Sequence, residues 1–127
     1  MLFDDGWSGP ESWGRWAEGT EAPVKWIATE RRDHVLDVAA FPQCVPGRSQ
    51  QVTLEINGRP LAGYEWPNCD PWSTRITIPA AAVKIGANVL IFRMAYAESP
   101  ATEANSQSKD TRRLSIGLTK LLVQPAP

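Results

Sequence analysis

The sequence predicts an all-β fold: a β-sandwich of two antiparallel sheets, in a single domain over residues 1–127. Apolar residues recur with a period of two in six separate runs. Such a period puts alternate side chains on opposite faces of a strand. Between the runs, Gly, Pro, Asn and Asp gather at turn positions, and no apolar pattern of period 3.6 exceeds about one helical turn.

Taken in order, Val24 and Trp26 alternate around Lys25, and Leu36, Val38 and Ala40 around Asp37 and Ala39. Pro42, Pro46 and Gly47 end that second run. Val52, Leu54 and Ile56 follow, then Asn57-Gly58, then the run from Leu61 to Trp66. Asn-Gly between two such runs is the strongest short-range hairpin signal. Pro67, Asn68, Asp70 and Pro71 make the next loop, ahead of Ile76 and Ile78. The segment from Pro79 to Lys84 reads as one short helical turn, and Gly86-Ala87-Asn88 as a tight turn before Leu90, Phe92 and Met94. Leu114, Ile116 and Leu118 form the last run. Two stretches are irregular, Asp4 to Ser12 and Tyr96 to Thr111. The second is longer than a hairpin needs, and loops of that length are usually functional or disordered.

Hydrophobic residues make up 43% of the 127 and charged residues 21%, a soluble globular composition with enough chain to bury a core unaided. A net charge of -1 and a pI near 5.8 give no attraction to nucleic acid or an anionic membrane surface. No apolar run approaches the roughly 20 residues of a spanning helix. Neither nucleic acid nor direct membrane insertion is therefore expected. The start, Met1-Leu2-Phe3-Asp4-Asp5, lacks the basic and apolar regions of a secretory leader, so a cytoplasmic location is expected, or a domain excised from a longer chain. The tail Gln124-Pro125-Ala126-Pro127 reads as a linker. Cys44 and Cys69 sit near prolines in loops; free thiols are expected, with a bridge left open.

Catalytic motifs are missing. The single histidine, His34, heads a strand without a nucleophile or companion motif nearby, and reads as an edge or surface residue. No His and Cys spacing suits a metal, and no Gly-rich phosphate loop opens a helix. Ca²⁺ held by Asp4, Asp5 or Asp110 would lack a regular ligand spacing. Asp4 with Asp5, and Glu98 with Glu103, are carboxylate pairs of the kind a glycosidase needs, but a small sandwich has little room for a deep cleft. The chain is expected to be no enzyme and to need no cofactor or metal.

Six tryptophans are the compositional outlier: Trp7, Trp13, Trp16, Trp26, Trp66 and Trp72. A core of this size absorbs perhaps two or three, because interiors favour Leu, Ile, Val and Phe. Three of them lie between Gly6 and Trp16, together with Glu11 and Arg15. On a regular strand Trp13 and Trp16 point to opposite faces and Arg15 sides with Trp13, unless Gly14 carries a bulge. Trp7 precedes the strand, where nothing forces it inward. An exposed indole beside fixed polar groups suits a sugar: the ring takes the apolar C–H face, and charged or amide groups take the hydroxyls. Arg112 and Arg113 follow Asp110 and open the last strand. First and last strands commonly neighbour each other, so the two segments are expected to meet at one end. The candidate ligand-binding residues are Trp7, Glu11, Trp13, Arg15, Asp110, Arg112 and Arg113. A competing reading is a protein-docking domain, since Trp and Arg are also common interface anchors. It would show a broad, flat apolar patch in place of a groove.

The motifs Gly6-Trp7-Ser8, Pro10-Glu11, Trp13-Gly14-Arg15-Trp16, Ala40-Phe41, Gln51-Val52 with Ile56-Asn57-Gly58, Ile78-Pro79, Ser99-Pro100-Ala101 and Asp110-Thr111-Arg112-Arg113-Leu114-Ser115-Ile116-Gly117-Leu118 occur in that order. With them the chain resembles a jelly-roll, carbohydrate-binding-like accessory domain of bacterial polysaccharide glycosyltransferases and related cell-envelope enzymes. The resemblance spans nearly the whole chain. It departs from the pattern at Thr102, which separates Ser-Pro-Ala from Glu103, and at Ser115 and Ile116, where Gly and Val are usual. It implies a glycan-binding role beside a host enzyme domain, and brings forward Trp7, Glu11, Trp13, Arg15 and Trp16 from the first segment and Asp110, Arg112 and Arg113 from the last.

Overall fold

The computed structural model describes residues 1–99 and 112–127. Nine strands form among them: β1 (Leu2–Phe3), β2 (Arg15–Glu18), β3 (Glu21–Ala28), β4 (His34–Pro42), β5 (Gln51–Ile56), β6 (Arg59–Glu65), β7 (Trp72–Ile78), β8 (Gly86–Met94) and β9 (Leu114–Pro125). They make a five-stranded sheet, in the order β1-β3-β8-β5-β6, and a four-stranded sheet, β2-β9-β4-β7. Every pairing is antiparallel. Among the described strands, β5 and β6 are the only consecutive pair in one sheet; every other consecutive pair is divided between the two.

The period-two runs account for this architecture. Val24, Trp26, Val52, Leu54, Ile56, Leu90 and Phe92 point from the larger sheet into one core with Leu36, Val38, Ala40, Ile116 and Leu118 from the smaller. Asn57 at φ 50° and Gly58 at φ 84° make the predicted hairpin turn, which needs positive φ at both central positions. The predicted helical turn is a 3₁₀ turn at Ala80–Ala82.

The sandwich has two open sides, and aromatic rings close both. Between edge strands β6 and β7, Tyr64 stacks on Trp72 with centroids 4.6 Å apart and planes 7° from parallel, and Trp66 packs beneath them. Between edge strands β1 and β2, the Arg15 guanidinium carbon lies 3.8 Å from the centre of the Phe3 ring.

Several sequence expectations are corrected. The supposed linker tail is strand: β9 runs to Pro125, and the Ala126 amide bonds the Asp33 carbonyl at 2.9 Å. Cys44 and Cys69 are not free thiols but a disulfide, with Cα atoms 5.8 Å apart. Crossing loops 43–50 and 66–71 meet at the same end of the sandwich, a juxtaposition set by topology that the local sequence does not encode. His34 is buried instead of exposed; its Nδ1 lies 2.8 Å from the Arg32 carbonyl and its ring packs on Trp26.

Candidate functional site

The fold sorts the six tryptophans. Trp26 and Trp66 are core residues, and Trp72 closes one open side. Trp7 packs against the core perpendicular to both Phe3 and Phe92, and its Nε1 donates to the Pro23 carbonyl at 2.8 Å. Trp13 and Trp16 lie outside the core. With Phe41 they form a triangle of rings whose centroids are 5.2–5.4 Å apart, the range of favourable aromatic pairs.

This triangle sits on the outer face of the four-stranded sheet. In the ladder, Gly117 of β9 is flanked by Trp16 of β2 and Phe41 of β4. A Cβ on Gly117 would collide with the Phe41 ring, so the missing side chain is what lets that ring lie over β9. Trp13 reaches the same face through a tight turn, closed by Glu11 N–H to Gly14 O at 2.6 Å and Gly14 N–H to Glu11 O at 3.2 Å. Gly14 has φ 146° and presses on the Leu118 carbonyl, where any side chain would clash. The turn breaks the strict alternation that would have put Trp13 and Trp16 on opposite faces. Trp13 ends 36% exposed, the most open of the three rings.

Polar groups share this face farther along the sheet. Ala39 pairs with Lys120 and Ser73, and Asp37 with Leu122 and Arg75. Arg75 grips Asp37 with both arms, Nε to Oδ1 at 2.9 Å and Nη2 to Oδ2 at 3.5 Å. That hydrogen bond, helped by the charges of Arg75 and Lys120 and opposed by partial desolvation, holds the Asp37 carboxyl below its ordinary range. The same bond raises Arg75. The Arg75 side chain remains 70% exposed, so most of its donors face solvent. From Phe41 to Asp37 the strand spans roughly 13 Å, at about 3.3 Å per residue. A shallow groove of about 170 Å³, lined by Gly14, Arg15, Thr119 and Lys120, opens beside the platform.

The residues named from sequence divide accordingly. Trp13 lies in the platform, and Glu11 is exposed on its turn. Trp7 is not an exposed platform, because both neighbours and its N–H are used inside the fold. Arg15 does not side with Trp13; it faces Phe3 across the sheet edge and lines the groove. Asp110 lies outside the described residues. The first segment and the last strand do meet, since β2 pairs with β9 and the Gly19 amide bonds the Arg113 carbonyl at 2.8 Å. Arg113, however, bonds the Ala97 carbonyl at 3.0 Å and precedes Gly117 by four positions, roughly 13 Å along the strand. Arg112 and Arg113 are thus at the loop end, away from the rings. Two of the expected carboxylates are ion-paired, Asp4 with Lys25 and Glu98 with Arg48, each at 3.0 Å. Sequence reasoning missed Phe41, Asp37, Arg75 and Lys120. Period-two parity already placed Asp37 and Phe41 on one face, but nothing local identified that face as the one carrying tryptophans.

No protein-family model matches the chain, and no curated protein matches it. Solved structures of similar shape exist. The CBM36-1 domain of a multidomain xylanase from the hindgut metagenome of Trinervitermes trinervoides aligns over 100% of this chain and 92% of its own, at TM-score 0.55 and 13% identity. A family 35 carbohydrate-binding module from an environmental isolate aligns over 98% and 86%, at TM-score 0.51 and 13% identity. A CBM36 module in complex with calcium and xylotriose aligns over 96% and 93%, at TM-score 0.52 and 12% identity. The chain therefore has the β-sandwich fold of these carbohydrate-binding modules. Among the described residues, no three His, Cys, Asp or Glu side chains group as metal donors would.

Proposed function

We propose that this domain is a non-catalytic carbohydrate-binding module whose platform is Trp13, backed by Trp16 and Phe41. The observation that carries this reading is the ring triangle outside the core, with one indole left open to solvent. A buried tryptophan serves packing; one held rigid by two other rings on a sheet surface offers a flat apolar face at little entropic cost. The C–H face of a pyranose lies on that indole. Hydroxyls of the stacked sugar donate to the Glu11 carboxylate, and hydroxyls of sugars farther along the chain accept from Lys120 and from the free donors of Arg75, which is fixed by Asp37. The fold shared with carbohydrate-binding modules supports the reading.

The proposal extends to context. The motif resemblance supports placing the domain beside a bacterial polysaccharide glycosyltransferase or related envelope enzyme in one longer chain. The Cys44–Cys69 bridge supports an oxidising compartment, in place of the cytoplasmic one expected from the first residues.

The test is intrinsic fluorescence of the domain titrated with bacterial polysaccharides and their oligosaccharides, in wild type and Trp13→Ala. A saturable change that vanishes in the folded variant is expected. A response that survives the substitution sinks this site. Silence across a broad panel moves the function to protein docking, for which another surface qualifies. The outer face of the five-stranded sheet exposes Leu2 and Ile27, with Pro23, Val89 and Ile91 half-buried beside them.

A further inference from the structure

At the end of the sandwich opposite the disulfide lies a cleft of about 490 Å³ lined by Arg31, Asn57, Arg59, the segment 81–83, Lys84 and Ile85. Three cations and no carboxylate line it. Arg31 and Lys84 make no ion pair or side-chain hydrogen bond among the described residues, and Arg59 spends one donor on the Ala81 carbonyl at 3.4 Å. Of the nearby acids, Glu30 pairs with Arg32 at 3.3 Å, while Asp33 accepts from the Ala80 amide at 2.8 Å and keeps its charge beside the cleft. Three cations around a concavity, against the single charge of Asp33 at its edge, leave a positive potential that attracts an anion.

The walls are held stiffly. Asn88 is fully buried; its Oδ1 accepts from Asn57 Nδ2 and from the Lys84 amide, both at 2.8 Å, and its Nδ2 donates to the Lys84 and Gly86 carbonyls. Asn57 in turn donates to the Ala82 carbonyl and accepts from the Val89 amide, both at 2.9 Å. This pair of asparagines ties the Asn57-Gly58 turn that carries Arg59 to the backbone that carries Lys84. The cationic side chains thus spring from a preorganised frame. Between them the lining is apolar, with Ala81, Val83 and an Ile85 that is 71% exposed.

An apolar floor ringed by cations fits a ring-shaped ligand that bears a negative group. The structure assigns to this cleft the recognition of an acidic saccharide, with the carboxylate of a uronic acid held by Arg31, Arg59 and Lys84. An Arg fork meets a carboxylate through two parallel hydrogen bonds, while Lys contributes a point charge. The choice of a saccharide over other anions rests on the proposed function. The cleft is far from the platform, since it is built from connections at one end of the sandwich while Trp13 packs beside Gly117, near the other.

The test is calorimetric titration of the intact domain with trigalacturonate and with its fully methyl-esterified form, which keeps the rings and removes the charge. Trigalacturonate is expected to bind at least tenfold tighter than the ester, with affinity falling as salt rises. Arg59→Ala and Lys84→Glu, both at exposed positions, are expected to lose that preference while keeping the wild-type circular dichroism. Equal binding of acid and ester overturns the proposal, as does an acid preference that survives Lys84→Glu. Inorganic phosphate binding as tightly as trigalacturonate overturns the saccharide assignment. Trp13→Ala titrated with a neutral glycan reads the platform separately, so either site can fail without the other.

Discussion

The Phe41 ring lies directly over Gly117, in the space a side chain would occupy. This contact brings Phe41 beside Trp16 across β9, at a centroid distance of 5.3 Å, and gives Trp13 its second supporting ring. Gly117→Ala is therefore expected to lift Phe41 off the sheet and spread the platform. Overpacking of this kind costs about 1–3 kcal/mol. Both readouts should move: denaturant unfolding shifts to lower concentration, and glycan affinity falls. Full affinity in a destabilised Gly117→Ala would show that the ring triangle does not form the platform.

Trp7 and Trp13 should separate cleanly on truncation. Trp7 sits between Phe3 and Phe92 with its N–H bonded, so Trp7→Ala opens a cavity and is expected to cost about 3 kcal/mol. Trp13 lies outside the core, and Trp13→Ala is expected to cost under about 1 kcal/mol, as surface changes usually do. Urea unfolding of the two variants decides this. Equal losses would mean that Trp13 is a packing residue.

These contrasts show what the sequence could and could not convey. Strand faces were legible because parity is local: Val52, Leu54 and Ile56 point inward wherever the strand is placed. The Asn57-Gly58 hairpin was legible because positive φ selects those residues. The side of Trp16 on which Trp13 lies stays open in the sequence, because the turn at Gly14 that decides it fits closely against Leu118, a residue far away in sequence. Trp7 was misjudged for a similar reason. Its partners Phe3 and Phe92 lie on different strands of the larger sheet. The basic cleft draws Arg31 and Lys84 from two connections and Arg59 from the head of β6, so only the topology makes them neighbours.

Asp37 gives the domain a pH dependence with a defined sign. Arg75 lowers its carboxyl in the folded state, so the stabilisation is fully present above the unfolded value of about 3.9 and is lost as pH falls through the folded one. Stability of wild type relative to Asp37→Asn, from urea unfolding between neutral pH and pH ~2, is expected to be constant at high pH and to shrink only below that unfolded value. A difference that does not change over this range would mean that the ion pair does not govern the titration of Asp37.

The disulfide ties crossing loops with a sequence separation of 25. Closing a loop of that length in the unfolded chain is worth about 3–4 kcal/mol on the chain-entropy account. Both cysteines are exposed, so reductant reaches them in the folded state. Dithiothreitol is expected to lower the denaturation midpoint of wild type and to leave that of a Cys44→Ser, Cys69→Ser double variant unchanged. A midpoint insensitive to reductant in wild type would show that the bridge does not stabilise the fold.

Gln50 holds together the end of the sandwich that carries the disulfide. It is 1% exposed, and its amide donates to the Tyr96 carbonyl at 2.8 Å and the Ser115 carbonyl at 3.2 Å. Its Oε1 accepts from the backbone amides of Gln51, Ala95 and Tyr96, at 3.1, 3.0 and 3.3 Å. One side chain thus satisfies backbone groups at the start of β5, just past β8 and within β9. An apolar replacement of similar volume removes these hydrogen bonds, at about 0.5–1.5 kcal/mol for each; the Ala95 amide keeps the Gln51 carbonyl at 3.1 Å and the Ser115 carbonyl keeps the Gln43 amide at 2.8 Å. Gln50→Leu is expected to be among the most destabilising single changes outside the apolar core, and to speed hydrogen exchange at Ala95 and Tyr96 more than in the β5–β6 hairpin. Gln50→Glu keeps the acceptor and loses the donor, so protection at Ala95 and Tyr96 should largely persist at neutral pH while overall stability drops. If Leu and Glu lowered protection at these two amides equally, the side-chain acceptor would not be what protects them.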